Sequence, residues 1–366
     1  MNKICIDARM IDCSGIGRYL RNILQAIVAE YDTYLLGDPE KLQRYSCCKN
    51  AEIIPASSSI YSIREQIELP FKIPQCDVFW SPHYNIPILP IRAKKRLVTI
   101  HDVFHLAFPD TLSPIKRLYS KTVIQKAASL SDAVITVSMF SNQEILRFCS
   151  CIPNKIHVIH NGIDTTFFHP ITDQKKIKTV KNRYNLPENF ILCVGNIKPH
   201  KNLERLLKAF ENLINKGLTD AKLVIVGNKN NLITADNSAI SLLAKSPALR
   251  QNVIFTGHVD DKDLPTIYSS AKLFVFPSLY EGFGFPPLEA QACGCPVIVS
   301  KAASLPEICG NSAHYIDPYD IASISDGILK NLKDTPYNNS AMKQVEKFSL
   351  ESFRSQHISL IDTLAS

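Results

Sequence analysis

The chain has 366 residues, 45% of them hydrophobic and 20% charged. That balance excludes a disordered or fibrous protein and suits two ordinary folded domains. The net charge of +7, from 41 basic and 34 acidic residues, is too diffuse for a nucleic-acid protein, and no interleaving of aromatic and basic residues supports one.

The first element, KICID, reads as a strand. Asp7 and Arg9 stand where the apolar stretch of a signal peptide would have to start, so none is expected. No uncharged apolar run approaches the roughly 18 residues of a membrane span. GIGRYLRNILQAIVAEY then places Leu20, Ile23, Leu24 and Ile27 at helical spacing. TYLLG, AEIIP, DVFWSP, RLVTIHD, AVITVS and IHVIHNG follow as strands. Most are apolar on both faces, as a buried parallel sheet requires. Two basic runs lie in this half, Arg92 with Lys94, Lys95 and Arg96, and Lys116, Arg117, Lys121 and Lys126. A solvated helix face explains both, and so does contact with an anionic membrane. Residues 164–189 are polar and carry prolines, so they read as a linker. The alternation restarts with FILCVG. NLERLLKAFENLINKG puts Leu203, Leu206, Leu207, Phe210 and Leu213 on one helix face, closed by Gly217. KLVIVG, VIFTG, LFVFPS and PVIVS are further strands, and SFRSQHISLIDTLAS is a last helix.

Alternating strands and helices predict an α/β protein with doubly wound parallel sheets. The predicted domains are 1–168 and 169–348, with 349–366 a helix crossing back to the first. Ligands of such sheets collect at the carboxyl ends of the strands, here in a deep cleft between two facing domains. The eleven cysteines are odd in number and show no C-x-x-C spacing, which points to reduced cytosolic thiols and no metal site.

The motifs fall at those strand ends. Gly15 and Gly17, in GIGRY, let backbone N–H groups approach an anion at a helix start; a plain tight turn would need them too. Leu20 stands where a dinucleotide fingerprint needs its third glycine. His101 and Asp102 end a strand, where an imidazole can donate to a sugar hydroxyl or a phosphate oxygen. His83, Tyr84 and Asn85 follow another strand and could meet polar hydroxyls. In GNIKPHKNLERLL, Asn202 is the expected N-cap, and Lys201 stands beside it as a point charge suited to a diphosphate. SLYEGFGFPPLEAQACG places Glu281 on a glycine loop and Glu289 eight positions later in the following helix. Offsetting a helix dipole would account for Glu289 but not for Glu281.

In order and spacing these pieces resemble the retaining glycosyltransferases of family 4, which have the GT-B architecture of two Rossmann-like domains. Glu281 and Glu289 match the family's E-x7-E motif. GIGRY resembles its N-terminal glycine loop, His101-Asp102 its donor-facing histidine segment, and GNIKPHKN its phosphate loop. VITVSMFSNQEI and VIHNGIDTTFFHP resemble its interdomain strands and linker, and PVIVSKAASLPEICGNSAHYIDPYD the end of its nucleotide domain. Many members carry an arginine where this chain has Asn196, which leaves Lys201 as the main cation, with Arg18 or Arg9 to share the task.

The resemblance implies a hexosyltransferase that needs neither metal nor cofactor and takes a nucleotide-diphosphate sugar as substrate. Lys201, Asn196 and the N–H groups of Phe283, Gly284 and Phe285 would hold the diphosphate. Glu281 would take sugar hydroxyls and Glu289 the ribose. His101 and Asp102 would join the catalytic set, Gly15 and Gly17 the donor site. Arg18, His83, Tyr84 and Asn85 would face the acceptor. EGFGFPPLEA and IDARMIDCSGIGRY look most like bacterial mannosyltransferases of O-antigen or exopolysaccharide assembly. That implies GDP-mannose as donor, a lipid-linked oligosaccharide as acceptor, and a cytoplasmic protein peripheral at the inner membrane face. A UDP-sugar donor, a sugar-nucleotide 2-epimerase, a glycoside hydrolase using both carboxylates, an oxidoreductase and a non-catalytic nucleotide-binding module are the competing readings.

Overall fold

In the computed structural model, which describes residues 1–195, 197–227, 237–333 and 339–366, the apolar runs become strands of two separate sheets. The first unit comprises Met1–Gly162 and Phe348–Ser366, the second Ile163–Lys347. Strands of the first are β1 (Lys3–Asp7), β2 (Asp32–Gly37), β3 (Glu52–Pro55), β4 (Cys76–Ser81), β5 (Ala93–Thr99), β6 (Ala133–Thr136) and β7 (Ile156–Val158). They are ordered β3-β2-β1-β4-β5-β6-β7, and every pairing is parallel.

Strands of the second unit are β8 (Phe190–Val194), β9 (Lys222–Val226), β10 (Val253–Gly257), β11 (Leu273–Phe276), β12 (Val297–Ser300) and β13 (His314–Ile316). They are ordered β10-β9-β8-β11-β12-β13, again all parallel. The helix Leu203–Asn215 buries the face its spacing predicts, Leu203, Leu206, Leu207, Phe210 and Leu213, on Ile191, Leu223, Val275 and Ile298 of the sheet. Each such side chain contributes about 1.5–3 kcal/mol by leaving water.

Both sheets reverse direction beside their first strand, between β1 and β4 and between β8 and β11. The connections leave a crevice at the carboxyl ends there. The residues that follow these four strands are therefore the ones the fold offers to a ligand.

Several elements that the sequence reading did not name are present, among them a linker helix and β13. The expected linker contains a helix, Gln174–Arg183, started by Asp173, whose side chain accepts from the Lys175 and Lys176 N–H groups. Its only buried residue is Val180, so it carries no apolar stripe to announce it. The three-residue strand β13 was too short to show a period.

The last helix, Leu350–Ala365, packs on the helix Ser14–Glu30 of the first unit. A directed chain of buried hydrogen bonds ties them. His357 donates from Nδ1 to the Phe353 carbonyl at 2.7 Å. Burial holds this imidazole down to about 4, so it is neutral and its Nε2 accepts. Tyr19 therefore donates its hydroxyl to Nε2 at 2.6 Å. The Tyr19 oxygen takes the Thr99 hydroxyl at 3.0 Å, and Thr99 takes the Trp80 N–H at 3.1 Å. Tyr19, in the GIGRY segment, is a core residue.

Candidate active site

In the second unit the loops after β8 and β11 are knitted together. Gly195 has φ +153°, and a side chain at Gly227 would come 2.4 Å from the Gly195 carbonyl oxygen, so both positions require glycine. Asn202 is buried in the left-handed region, φ 60°. It makes no side-chain cap, contrary to the sequence reading. Its Nδ2 instead donates to the carbonyls of Pro277 and Pro318, at 3.1 and 2.7 Å. The Leu279 N–H donates to the His200 carbonyl at 2.7 Å. These bonds spend the asparagine on loop geometry and fix Lys201 beside the glycine loop.

Lys201 Nζ lies 2.5 Å from Glu281 Oε1 and 5.0 Å from the centre of the Phe276 ring. The Ser278 hydroxyl donates to that same Oε1 at 2.6 Å. Two donors on one oxygen leave Glu281 Oε2 to accept from something else. The Ser304 hydroxyl faces the carbonyls of Glu281 and Phe283, at 2.9 and 2.8 Å, and holds the loop. Gly284 ends it at φ +108°, as the N-cap of the helix Phe285–Ala292. Glu289 lies inside that helix, and no acidic residue occupies its first turn, so offsetting the dipole is not its role. Its carboxylate is 1% exposed and accepts from the Tyr268 hydroxyl at 2.9 Å. Asn196 lies outside the described residues.

In the first unit the two glycines of GIGRY differ. A side chain at Gly17 would meet the Ile11 carbonyl at 2.2 Å, whereas one at Gly15 would meet nothing within 4 Å. Gly17 is thus a packing requirement, and only Gly15 leaves room for a ligand. Arg18, the next residue, is half-buried. Arg9 cannot share the diphosphate, because Asp7 and Glu65 already hold it, at 2.7 and 2.9 Å. Burial alone would lower its pKa, but Asp7 and then Glu65 outweigh it and raise it.

The structure brings His83, Tyr84, His101 and Asp102 into one cluster. The His83 and Tyr84 rings lie 4.2 Å apart, and the charge of Asp102 acts on the Tyr84 phenol, which burial first raises. Burial lowers both histidines below the usual imidazole range, so both are neutral near pH 7. His101 donates from Nε2 to the Pro82 carbonyl at 2.9 Å. Its other nitrogen is then an acceptor, and the expected donation from His101 to a phosphate oxygen does not hold. Asp102 accepts from the Phe104 N–H at 2.9 Å. His83, Tyr84 and Asn85 are 7%, 8% and 2% exposed, too buried to be the acceptor's main contacts as the sequence suggested. Among the described residues no group of three or more His, Cys, Asp or Glu is arranged to hold a metal ion.

Two family models match in tandem, Glycosyltransferase Family 4 over residues 14–167 and Glycosyl transferases group 1 over 174–348. The chain belongs to the family 4 glycosyltransferases. It is similar to O-antigen chain mannosyltransferase B of Escherichia coli, 29% identical over 286 residues, covering 77% of this chain and 73% of that one. It is 34% identical over 224 residues to the serotype-specific mannosyltransferase WbdA of Escherichia coli. That match covers 60% of this chain but only 27% of WbdA. Anabaena HepE, solved in complex with UDP and glucose, has the same fold, with a TM-score of 0.80 at 18% identity over 99% of this chain and all of that one.

For this glycosyltransferase, the sequence named Lys201, Glu281 and Glu289 as candidates but gave no sign of the groups that set them. Ser278 and Tyr268 give no periodic or motif signal of their own. Only the fold sets the Ser278 hydroxyl on Glu281 and the Tyr268 hydroxyl, 21 residues away, on Glu289.

Proposed function

We propose that the enzyme transfers mannose from GDP-mannose to a hydroxyl of a lipid-linked or growing surface oligosaccharide, with retention at the anomeric carbon and without a metal. The observation that carries this reading is the Lys201–Glu281 pair, 2.5 Å apart at the carboxyl ends of β8 and β11. A diphosphate arriving at Lys201 replaces Glu281 as the partner of the ammonium. The released carboxylate then accepts sugar hydroxyls in charge-assisted bonds. Lys201 and the N–H groups of Phe283, Gly284 and Phe285 stabilise the leaving diphosphate, fixed donors aimed at developing charge. That diphosphate takes the acceptor proton on the face it leaves, and Glu289 holds the ribose. Mannose as the sugar is supported by the names of the Escherichia coli relatives. Radiolabelled GDP-mannose, UDP-glucose and UDP-galactose, each offered with a mannosyl-lipid acceptor, test the reading. Transfer from GDP-mannose alone, giving an α-linked product, is expected. Transfer from a UDP-sugar instead would overturn the donor, and conversion of the nucleotide sugar without acceptor would indicate an epimerase.

We also infer contact with an anionic membrane through the first unit. The two basic runs are not equivalent. Lys94 pairs with Asp77 and Lys95 with Asp132, while Arg96 donates to the Pro87 and Leu89 carbonyls. Three of the four residues of that run have partners within the fold, which favours the second run as the membrane contact. The helix Pro114–Leu130 carries Lys116, Arg117, Lys121 and Lys126, of which Arg117 pairs with Asp110; it has no acidic residue of its own, and it exposes Ile115 and Leu118. The helix Ile63–Lys72 exposes Ile63, Ile67 and Phe71 at four-residue steps, a stripe that finds no partner in the core. Among the described residues no helix is long and apolar enough to cross a membrane. The protein should sediment with phosphatidylglycerol vesicles at low salt, and I115E/L118E should release it. Wild-type protein left in the supernatant would end this proposal.

A further inference from the structure

With His83, Tyr84 and Asn85 buried, the exposed member of their cluster is a residue that no motif singled out. Tyr61 follows β3, at the same carboxyl edge of the first sheet, and is 45% exposed. Its backbone is left-handed, φ +64°, a conformation that a bulky side chain adopts only when its surroundings impose it. Here they do. The Asn85 N–H donates to His83 Nδ1, so the neutral ring donates from Nε2 to the Tyr61 oxygen at 2.9 Å. The Tyr84 phenol also acts electrostatically on that of Tyr61. The Tyr61 ring lies 5.3 Å from His83 and 5.7 Å from Tyr84, tilted 33° to the latter. Asp102 and Cys13, beside the glycine loop, both act on the Tyr61 phenol, after burial of the hydroxyl itself. The result is an aromatic ring held at its polar tip by His83, backed by two other rings, and open on its remaining surface.

We propose that the open side of the Tyr61 ring is a platform for one pyranose ring of the acceptor, which stacks its C–H face there. A flat, rigid, amphipathic side chain suits a sugar, which is apolar on its ring faces and polar at its edge. With the His83 N–H already on its oxygen, the Tyr61 hydroxyl has its own proton to give to a ring-edge hydroxyl. Backbone strain is retained at this position because it presents the platform. The proposal rests on the glycosyltransferase reading with an oligosaccharide acceptor.

Tyr61→Asn separates this role from a structural one, because asparagine tolerates the left-handed conformation while lacking the ring. Wild type, Y61N and Y61F are compared for acceptor KM with a synthetic mannosyl-lipid, for donor KM, and for hydrolysis of the nucleotide sugar without acceptor. Unit stability is followed by the fluorescence of Trp80, the one tryptophan of the chain. Y61N should melt no lower than wild type, raise the acceptor KM about tenfold or more, and leave donor KM and hydrolysis unchanged. Y61F, which keeps the ring, should recover most of the acceptor affinity. An unchanged acceptor KM in Y61N, or an equal rise in donor KM, overturns the platform. If Y61N unfolds early, Y61F decides: an acceptor KM as poor as that of Y61N means that the ring is not what binds. Failure of the wild type to transfer any sugar to the mannosyl-lipid, seen in the same assay, would instead remove the acceptor reading beneath the proposal.

Discussion

Lys201→Ala should lower kcat by about two to three orders of magnitude, the roughly 3–4 kcal/mol that one preorganised donor at a developing anion supplies. Stability should barely move, because the ion pair with Glu281 is partly open to water, at 21% and 14% side-chain exposure. Glu281→Gln keeps the shape of the side chain and removes the charge that the sugar hydroxyls would meet, and should also reduce kcat strongly. The double variant is the informative one. In the proposed mechanism one ammonium and one carboxylate exchange partners as the donor binds, so the two losses should fall well short of adding. Transient kinetics with saturating GDP-mannose checks this. Near-native turnover in Lys201→Ala would sink the assignment of the diphosphate to this loop.

Glu65→Ala should cost the first unit about 3 kcal/mol, from the loss of three buried hydrogen bonds to a charged group and of one of the two carboxylates on Arg9. Glu65 is fully buried. It accepts from Arg9 at 2.9 Å, from the Tyr119 hydroxyl at 3.0 Å and from the Ser62 N–H at 3.1 Å. Removing it leaves Arg9 to Asp7 and the Ser58 carbonyl and takes the acceptor from the Ser62 N–H. The exposed Lys208–Glu204 pair, one helical turn apart, offers the contrast, since Lys208→Ala should cost under about 1 kcal/mol. Urea unfolding followed through Trp80 reports on the first unit alone, because the only tryptophan lies in β4. Equal midpoints for Glu65→Ala and wild type would show that the Arg9 cluster is not a fold element.

How much of this was legible beforehand depended on range. The strands were legible because burial on both faces leaves apolar runs that need no context. The Leu203–Asn215 helix was legible because its stripe repeats with the helical period. The Gln174–Arg183 helix was not, since capping by Asp173 rather than burial supports it. The E-x7-E pair and Lys201 could be named, but not that they meet, because 80 residues separate Lys201 from Glu281. Arg9 looked available for a phosphate until Glu65, 56 residues away, claimed it. His101 stood where expected, yet the Pro82 carbonyl decides which of its nitrogens holds the proton. Tyr61 was invisible because a left-handed tyrosine leaves no trace in spacing.

The buried chain from Trp80 to His357 bears on how the polypeptide is assembled. The second unit is one unbroken stretch, whereas the first is interrupted by it and regains Phe348–Ser366 only afterwards. A ribosome therefore delivers the whole of the second unit before it delivers the piece that covers Tyr19. A fragment cut at Gly162 would present an uncapped tyrosine hydroxyl and bare rings to solvent, a surface prone to self-association. The second unit, by contrast, takes its chain from one stretch, Ile163–Lys347.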